Sequence, residues 1–233
     1  MHGHPYYPPG VKIPGRYSPN VLAVPVLLGA FGIILIAIVA VVQLLAKQVN
    51  PAIGRPEQLT LAWFTLCAFL HCFFEAGYFI LNHESIAASQ HLFAQLWKEY
   101  ALSDSRYMTS DPFMLCIEAL TVFIWGPLSI LTAILIIRDK ASNTTGLRHI
   151  LQSIVSVGHL YGVALYYGTC YFEERYNGVS YNRPEFLYYW AYYVGLNSPW
   201  AVVPAVLLYR SSRAVSRAFQ PSQSNATDFK KQR

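Results

Sequence analysis

Four ionisable side chains, His71, Glu75, Glu118 and His159, lie deep inside otherwise apolar stretches of a chain of 233 residues. These residue types give and take protons. A charge at the centre of a bilayer costs roughly 2.5 to 3.5 kcal/mol on insertion scales, so such groups normally face a protein interior and serve a site. His71 and Glu75 are four apart, which stacks them on one helical face where they can share a proton. Glu118, Thr121 and Trp125 follow at three and four, Asn197 and Trp200 at three, and Gln152, Ser156 and His159 form a further polar stripe. Each has a packing alternative: an interhelical pair for His71 with Glu75, a satisfied structural histidine for His159, ordinary packing aromatics for Trp125 and Trp200. The set as a whole points to acid/base chemistry inside a membrane.

The elements that must position these groups follow from composition. The chain is 54% hydrophobic and 12% charged, far from an ordinary soluble domain. A spanning helix needs about 20 mainly apolar residues. Five windows qualify, near Val21 to Leu45, Leu59 to Leu81, Phe113 to Ile137, Ile150 to Phe172 and Phe186 to Tyr209. A polar stripe facing lipid is costly, so the stripes should converge. The fold class expected is all-α, a polytopic membrane protein with five transmembrane helices bundled around an intramembrane cavity. The first window carries no charge and reads as a lipid-facing anchor, and Pro199 and Pro204 should kink the fifth.

Residues 1–20, rich in Pro, Gly, His and Tyr, read as a flexible lumenal tail, 21–210 as the membrane domain and 211–233 as a basic cytosolic tail. Five spans place the termini on opposite sides. Eleven basic residues fall on the C-terminal side against six on the other, which favours a cytosolic C-terminus. Lys230 and Lys231 stand three and four residues from the end, the dilysine form of an endoplasmic-reticulum address. Net charge of +5 thus reflects topology, and no nucleic-acid partner is expected. Between His83 and Pro112, Leu92, Phe93, Leu96, Trp97 and Tyr100 share a face, with Gln95, Lys98 and Glu99 elsewhere. This pattern suits a short interfacial helix that caps the cavity, or a solvated loop anchored by one tryptophan.

Cys67, Cys72, Cys116 and Cys170 are scattered without CxxC or Cys/His ligand spacing, so they read as small apolar packing and no metal is expected. There is no phosphate loop, dinucleotide fingerprint or nucleophile elbow. A shielded histidine and carboxylate can protonate and deprotonate carbon only if the developing cation is stabilised. An indole face such as that of Trp200 attracts cations by about 2 kcal/mol or more when desolvated. These parts suit acid/base rearrangement of a greasy alkene.

The same residues resemble the emopamil-binding protein family, the sterol delta-8,delta-7 isomerases of the EXPERA group. The similar runs are Leu66 to His71 with Glu75, Gln95 to Ala101 continuing to Asp104 to Tyr107, and Cys116 to Glu118 with Thr121. Further ones are Trp125 to Ser129, Val155 to Gly158 with Tyr161 and Gly162, and Asn197 with Trp200. The resemblance covers roughly residues 59–210. It implies that His71, Glu75 and Glu118 are the acid/base groups, that Thr121 and Asn197 are polar supports, and that Trp200 faces the carbocation. The implied reaction adds a proton at carbon 9 of a delta-8 sterol and removes one from carbon 7, with no cofactor. Val163 stands where an acidic side chain is common in that family, a change that could reshape the pocket.

Three functions remain open on the sequence: a sterol isomerase, an isomerase or cyclase of another polycyclic terpenoid, or a non-catalytic binder of sterols or cationic amphiphiles. Gly158 and Gly162 form a GxxxG that could serve close packing within the bundle or a homodimer.

Overall fold

The computed structural model describes residues 3–138 and 146–219. Among them, five helices are long and apolar enough to cross a membrane: Val24–Val49, Arg55–Ala76, Pro112–Arg138, Gly146–Asn177 and Leu187–Ala218. These first to fifth spans overlap the five expected windows. A short helix, Leu92–Tyr100, lies between the second and third and is called the cap helix below. The dilysine stretch at 230–231 lies outside the described residues, as do the two Asn-X-Thr triplets of the chain, at 143–145 and 225–227.

Helix starts follow simple rules. Proline occupies the first turn of the first, second and third spans and of the helix Pro199–Ala218, where a missing N–H leaves nothing unpaired. Asp111 caps the third span by accepting from the Met114 N–H at 3.0 Å. Four spans contain π-helical stretches, Leu70–Ile80, Thr121–Trp125, Glu173–Asn177 and Leu187–Leu196. Such widened turns are rare and concentrate at functional positions. The Thr121–Trp125 turn is followed at once by Pro127, which cannot donate back along the helix. A second proline-bearing break, at Ser198 and Pro199, divides the fifth span as expected.

Lipid supplies no hydrophobic drive between helices, so close approach depends on small residues and polar contacts. Two glycines show this. A Cβ on Gly126 would come within 2.6 Å of Cys72 Sγ and 3.2 Å of His71 Cβ, so the third span abuts the second at the level of His71. A Cβ on Gly158 would lie 2.6 Å from the Trp125 ring. Of the GxxxG pair, Gly158 admits an indole inside the bundle, while a Cβ on Gly162 would meet nothing within 4 Å.

Two apolar clusters flank the middle. Leu61, Phe64, Ile136, Val155 and Leu207 pack towards one end, and Phe79, Trp97, Tyr107, Met108 and Tyr193 towards the other. At the first end Glu57 pairs with Arg148 and, at 3.4 Å, with Arg210. At the other end Asp104 and Arg106 form a buried pair at 2.7 Å, with the guanidinium also over the rings of Phe113, Tyr166 and Tyr181.

Two expectations are corrected. The N-terminal segment is not a loose tail from residue 3 onward. Tyr6 is buried and its hydroxyl donates to the Lys98 carbonyl, Lys98 Nζ donates to the Ser18 carbonyl at 2.8 Å, and Gln95 Oε1 accepts from the N–H groups of Val21 and Leu22. This strap covers the polar face of the cap helix, which is why Gln95, Lys98 and Glu99 are buried as well as Leu96 and Trp97. The solvated-loop alternative for that region falls with it. The first span is mostly exposed, as a lipid-facing helix should be, but Leu28, Phe31 and Leu35 also form one wall of the internal cavity.

Candidate active site

A cavity of about 520 Å³ lies between the five spans and the cap helix, within the range of sites that enclose small molecules. His71, Glu75, Glu118, Thr121, Trp125, His159, Asn197 and Trp200, all singled out from the sequence, line it. Its remaining wall is largely apolar or aromatic, including Leu66, Leu70, Phe74, Met114 and Val163.

The polar groups face one another across the chamber. His71 Nδ1 lies 2.8 Å from Glu75 Oε2, and the π-helical turn that carries both keeps the four-residue spacing face to face. His71 Nε2 lies 3.1 Å from His159 Nε2, so the second and fourth spans meet through two imidazoles. Glu118 accepts from the Tyr107 hydroxyl at 3.1 Å and lines the same cavity as Glu75.

Thr121 turns its hydroxyl back to the Ile117 carbonyl at 2.9 Å. Asn197 Nδ2 donates to the Tyr193 carbonyl at 2.8 Å and bonds the Tyr100 hydroxyl, so it ties the fifth span to the cap helix. Trp200 packs on Trp63 with centroids 5.4 Å apart, and Trp63 meets His159 edge-on at 6.3 Å. Two indoles therefore border the acid/base groups. Gln152 and Ser156 share the stripe of His159 and are buried, but Gln152 bonds the Leu207 carbonyl and Ser211 and takes no part in the cavity wall.

Several lining residues were not anticipated. Trp63 and Tyr107 carry no local signal in stretches crowded with aromatics. Tyr100 was placed on the apolar face of the cap helix, yet its hydroxyl is a partner of Asn197. Glu99, off the apolar face in the sequence pattern, borders the cavity with Oε1 accepting from Tyr192 at 3.3 Å. Burial pushes the Glu99 carboxyl up from its ordinary range. Trp97 donates to the Phe74 carbonyl at 3.3 Å and stacks on that ring, which fixes the cap helix on the π-helical turn.

One reading of the thiols is also revised. Cys67 is one turn from His71, and donor atoms of Cys67, His71 and His159 all lie within 4.8 Å of one another, with all three residues buried. The sequence contained this i, i+4 Cys/His spacing, but its third member is 88 residues from His71.

The sequence matches the family EBP: EXPERA (EXPanded EBP superfamily) over residues 92–211. It is 37% identical over 213 residues to the 3-beta-hydroxysteroid-Delta(8),Delta(7)-isomerase of Cavia porcellus, covering 89% of this chain and 87% of that one. The protein of the same name from Rattus norvegicus is 35% identical over 217 residues, covering 92% and 90% of the two chains. A plant relative, isomeliandiol synthase of Melia azedarach, is 34% identical over 163 residues, or 70% of this chain and 71% of its own. With that extent of match joined to five spans around a shared cavity, this chain belongs to the EXPERA superfamily.

Proposed function

We propose that this protein is an intramolecular isomerase that moves the double bond of a sterol from delta-8 to delta-7 within its membrane cavity. The observation that carries the reading is the meeting of His71, Glu75 and Glu118 on one wall of an otherwise apolar chamber. The identity to proteins named for this reaction over most of the chain supports it.

His71 is the acid. Its Nδ1–H is held by ionised Glu75, and its Nε2–H, directed at His159 when no substrate is present, is delivered to carbon 9. The electrons of the old double bond form the new C–H bond and leave a cation at carbon 8. The faces of Trp200 and Trp63 and the nearby carboxylates stabilise that charge. Glu118, oriented by Tyr107, takes the proton from carbon 7, and the electrons of that C–H bond close the new double bond. Return of that proton from Glu118 to His71, across the cavity that both line, resets the cycle. One proton enters and one leaves, and carbon 9 is reduced by as much as carbon 7 is oxidised, so the net oxidation state is unchanged and the cycle needs no redox partner.

Glu99 and Tyr192 mark a second polar region of the wall. A sterol has one hydroxyl, and the free oxygen of Glu99 can accept from it. That contact would set the molecule's register against His71.

Incubation of purified protein with a delta-8 sterol in heavy water should yield the delta-7 product with deuterium at carbon 9. A shifted double bond without label would refute protonation, and tight sterol binding without turnover would favour a non-catalytic binder. The Melia relative and apolar Val163 on the cavity wall favour one second reading, a polycyclic terpenoid other than a sterol as substrate. Competition between the two substrate classes for turnover separates these.

A cytosolic C-terminal side, in a membrane such as that of the endoplasmic reticulum, is supported by the excess of basic residues on that side. Protease accessibility of a C-terminal epitope in sealed microsomes tests it.

A further inference from the structure

We propose that Cys67, His71 and His159 form a binding site for Zn²⁺ or a similar thiophilic divalent cation, and that its occupation switches the cavity off. Three observations converge. The donor atoms of the three residues lie within 4.8 Å of one another in a buried position. Bonds of about 2.0 to 2.3 Å in a tetrahedral site place neighbouring donors roughly 3.3 to 3.8 Å apart, so the set needs only a small contraction. The Nε2 atoms of His71 and His159 already face each other at 3.1 Å, the separation of two imidazoles sharing an ion.

The second observation is the partner of His71. Metal-bound histidines nearly always give their other ring N–H to a carboxylate or carbonyl, which orients the ring and raises its basicity. Glu75 Oε2 holds that position on His71 Nδ1 at 2.8 Å. The third is His159 itself, whose Nδ1 is buried with no hydrogen-bond partner among the described residues. No second bond fixes that ring, so it can turn to complete the set.

Three protein donors leave the fourth position of the ion open to the cavity, where water would sit. Cys67 Sγ and His71 Nε2 each give up a proton on binding, so two protons are released per ion. Thiolate and the Glu75 carboxylate together balance the charge of the ion. Binding also withdraws both imidazole nitrogens from proton transfer and puts a cation where the substrate must itself become cationic. The inhibitory half of the proposal rests on the isomerase reading. The binding half does not.

Purified protein in detergent, first stripped with a chelator, is titrated with Zn²⁺ and separately with Cd²⁺, whose thiolate complex absorbs in the ultraviolet. One ion per chain and a cadmium–thiolate band are expected. Cys67→Ala should abolish the band and weaken Zn²⁺ binding at least tenfold, with His159→Gln as a second variant and Cys116→Ala as an unaffected control. Turnover of a delta-8 sterol should fall with Zn²⁺ and recover with chelator. Cys67→Ala should turn over normally and resist the metal. Absence of binding, or equal binding by wild type and folded Cys67→Ala and His159→Gln, overturns the site. Loss of turnover on chelation overturns the inhibitory role. Cys67-dependent binding without any sterol turnover sustains the site and sinks the isomerase reading instead.

Discussion

The hydroxyl of Tyr107, from the segment beyond the cap helix, donates to Glu118 Oε1 on the third span at 3.1 Å. The contact ties a carboxyl group inside the membrane to the capped end of the bundle. Tyr107→Phe removes that donor and keeps the ring contacts with Trp97 and Tyr100. Hydrogen bonds to charged groups contribute about 1.5 to 3 kcal/mol, so turnover should fall by about tenfold or more while sterol binding persists. Parallel turnover and binding measurements check the split.

Glu118→Gln keeps an acceptor for Tyr107 but cannot take a proton. Activity should drop by about 100-fold or more, the usual contribution of a positioned acid or base, with no loss of thermal stability. Near-normal turnover would remove Glu118 from the mechanism.

Trp200→Phe retains a ring face against Trp63 and should be mild. Trp200→Ala forfeits about 2 kcal/mol of cation stabilisation and should slow the reaction by about 30-fold. If the two variants turn over equally, the indole only packs.

Gly158→Ala forces a methyl into the Trp125 ring and should cost about 1 to 3 kcal/mol, read as a lower melting temperature in detergent. Gly162→Ala meets nothing within 4 Å and should leave stability intact, yet its methyl projects towards the cavity and should raise KM.

Lys98 supplies a pH signature. Burial pulls its ammonium down to about 8 from an ordinary 10.5. Between those values the unfolded chain holds the proton that the folded chain has lost, so stability should rise with pH from about 8 to about 10.5. Lys98→Met should flatten that slope, as thermal unfolding across the window would reveal.

Much of the site could be read from the chain because membranes make polarity expensive. His71, Glu75 and Glu118 stand out against apolar neighbours, and their spacing fixes their faces. Trp63 and Tyr107 could not be read, since an aromatic among aromatics has no contrast. The burial of Gln95 and Lys98 was hidden for another reason: the strap that covers them comes from residues 6–22, and local periodicity carries no information about a cover so remote. The contact between His71 and His159 is of the same kind, a meeting of helices whose rotation about their own axes depends on Gly126 and Gly158.

The strap also imposes an order on biogenesis. Asn20 bonds the Gln95 carbonyl 75 residues later, so a nascent chain with only its first two spans inserted has nothing for its N-terminal strand to grip. Until the ribosome releases residues 92–100 the strap has nothing to close on, so His71 and Glu75 enter the bilayer before any roof exists, whereas Glu118 and His159, later in the chain, arrive once it can form.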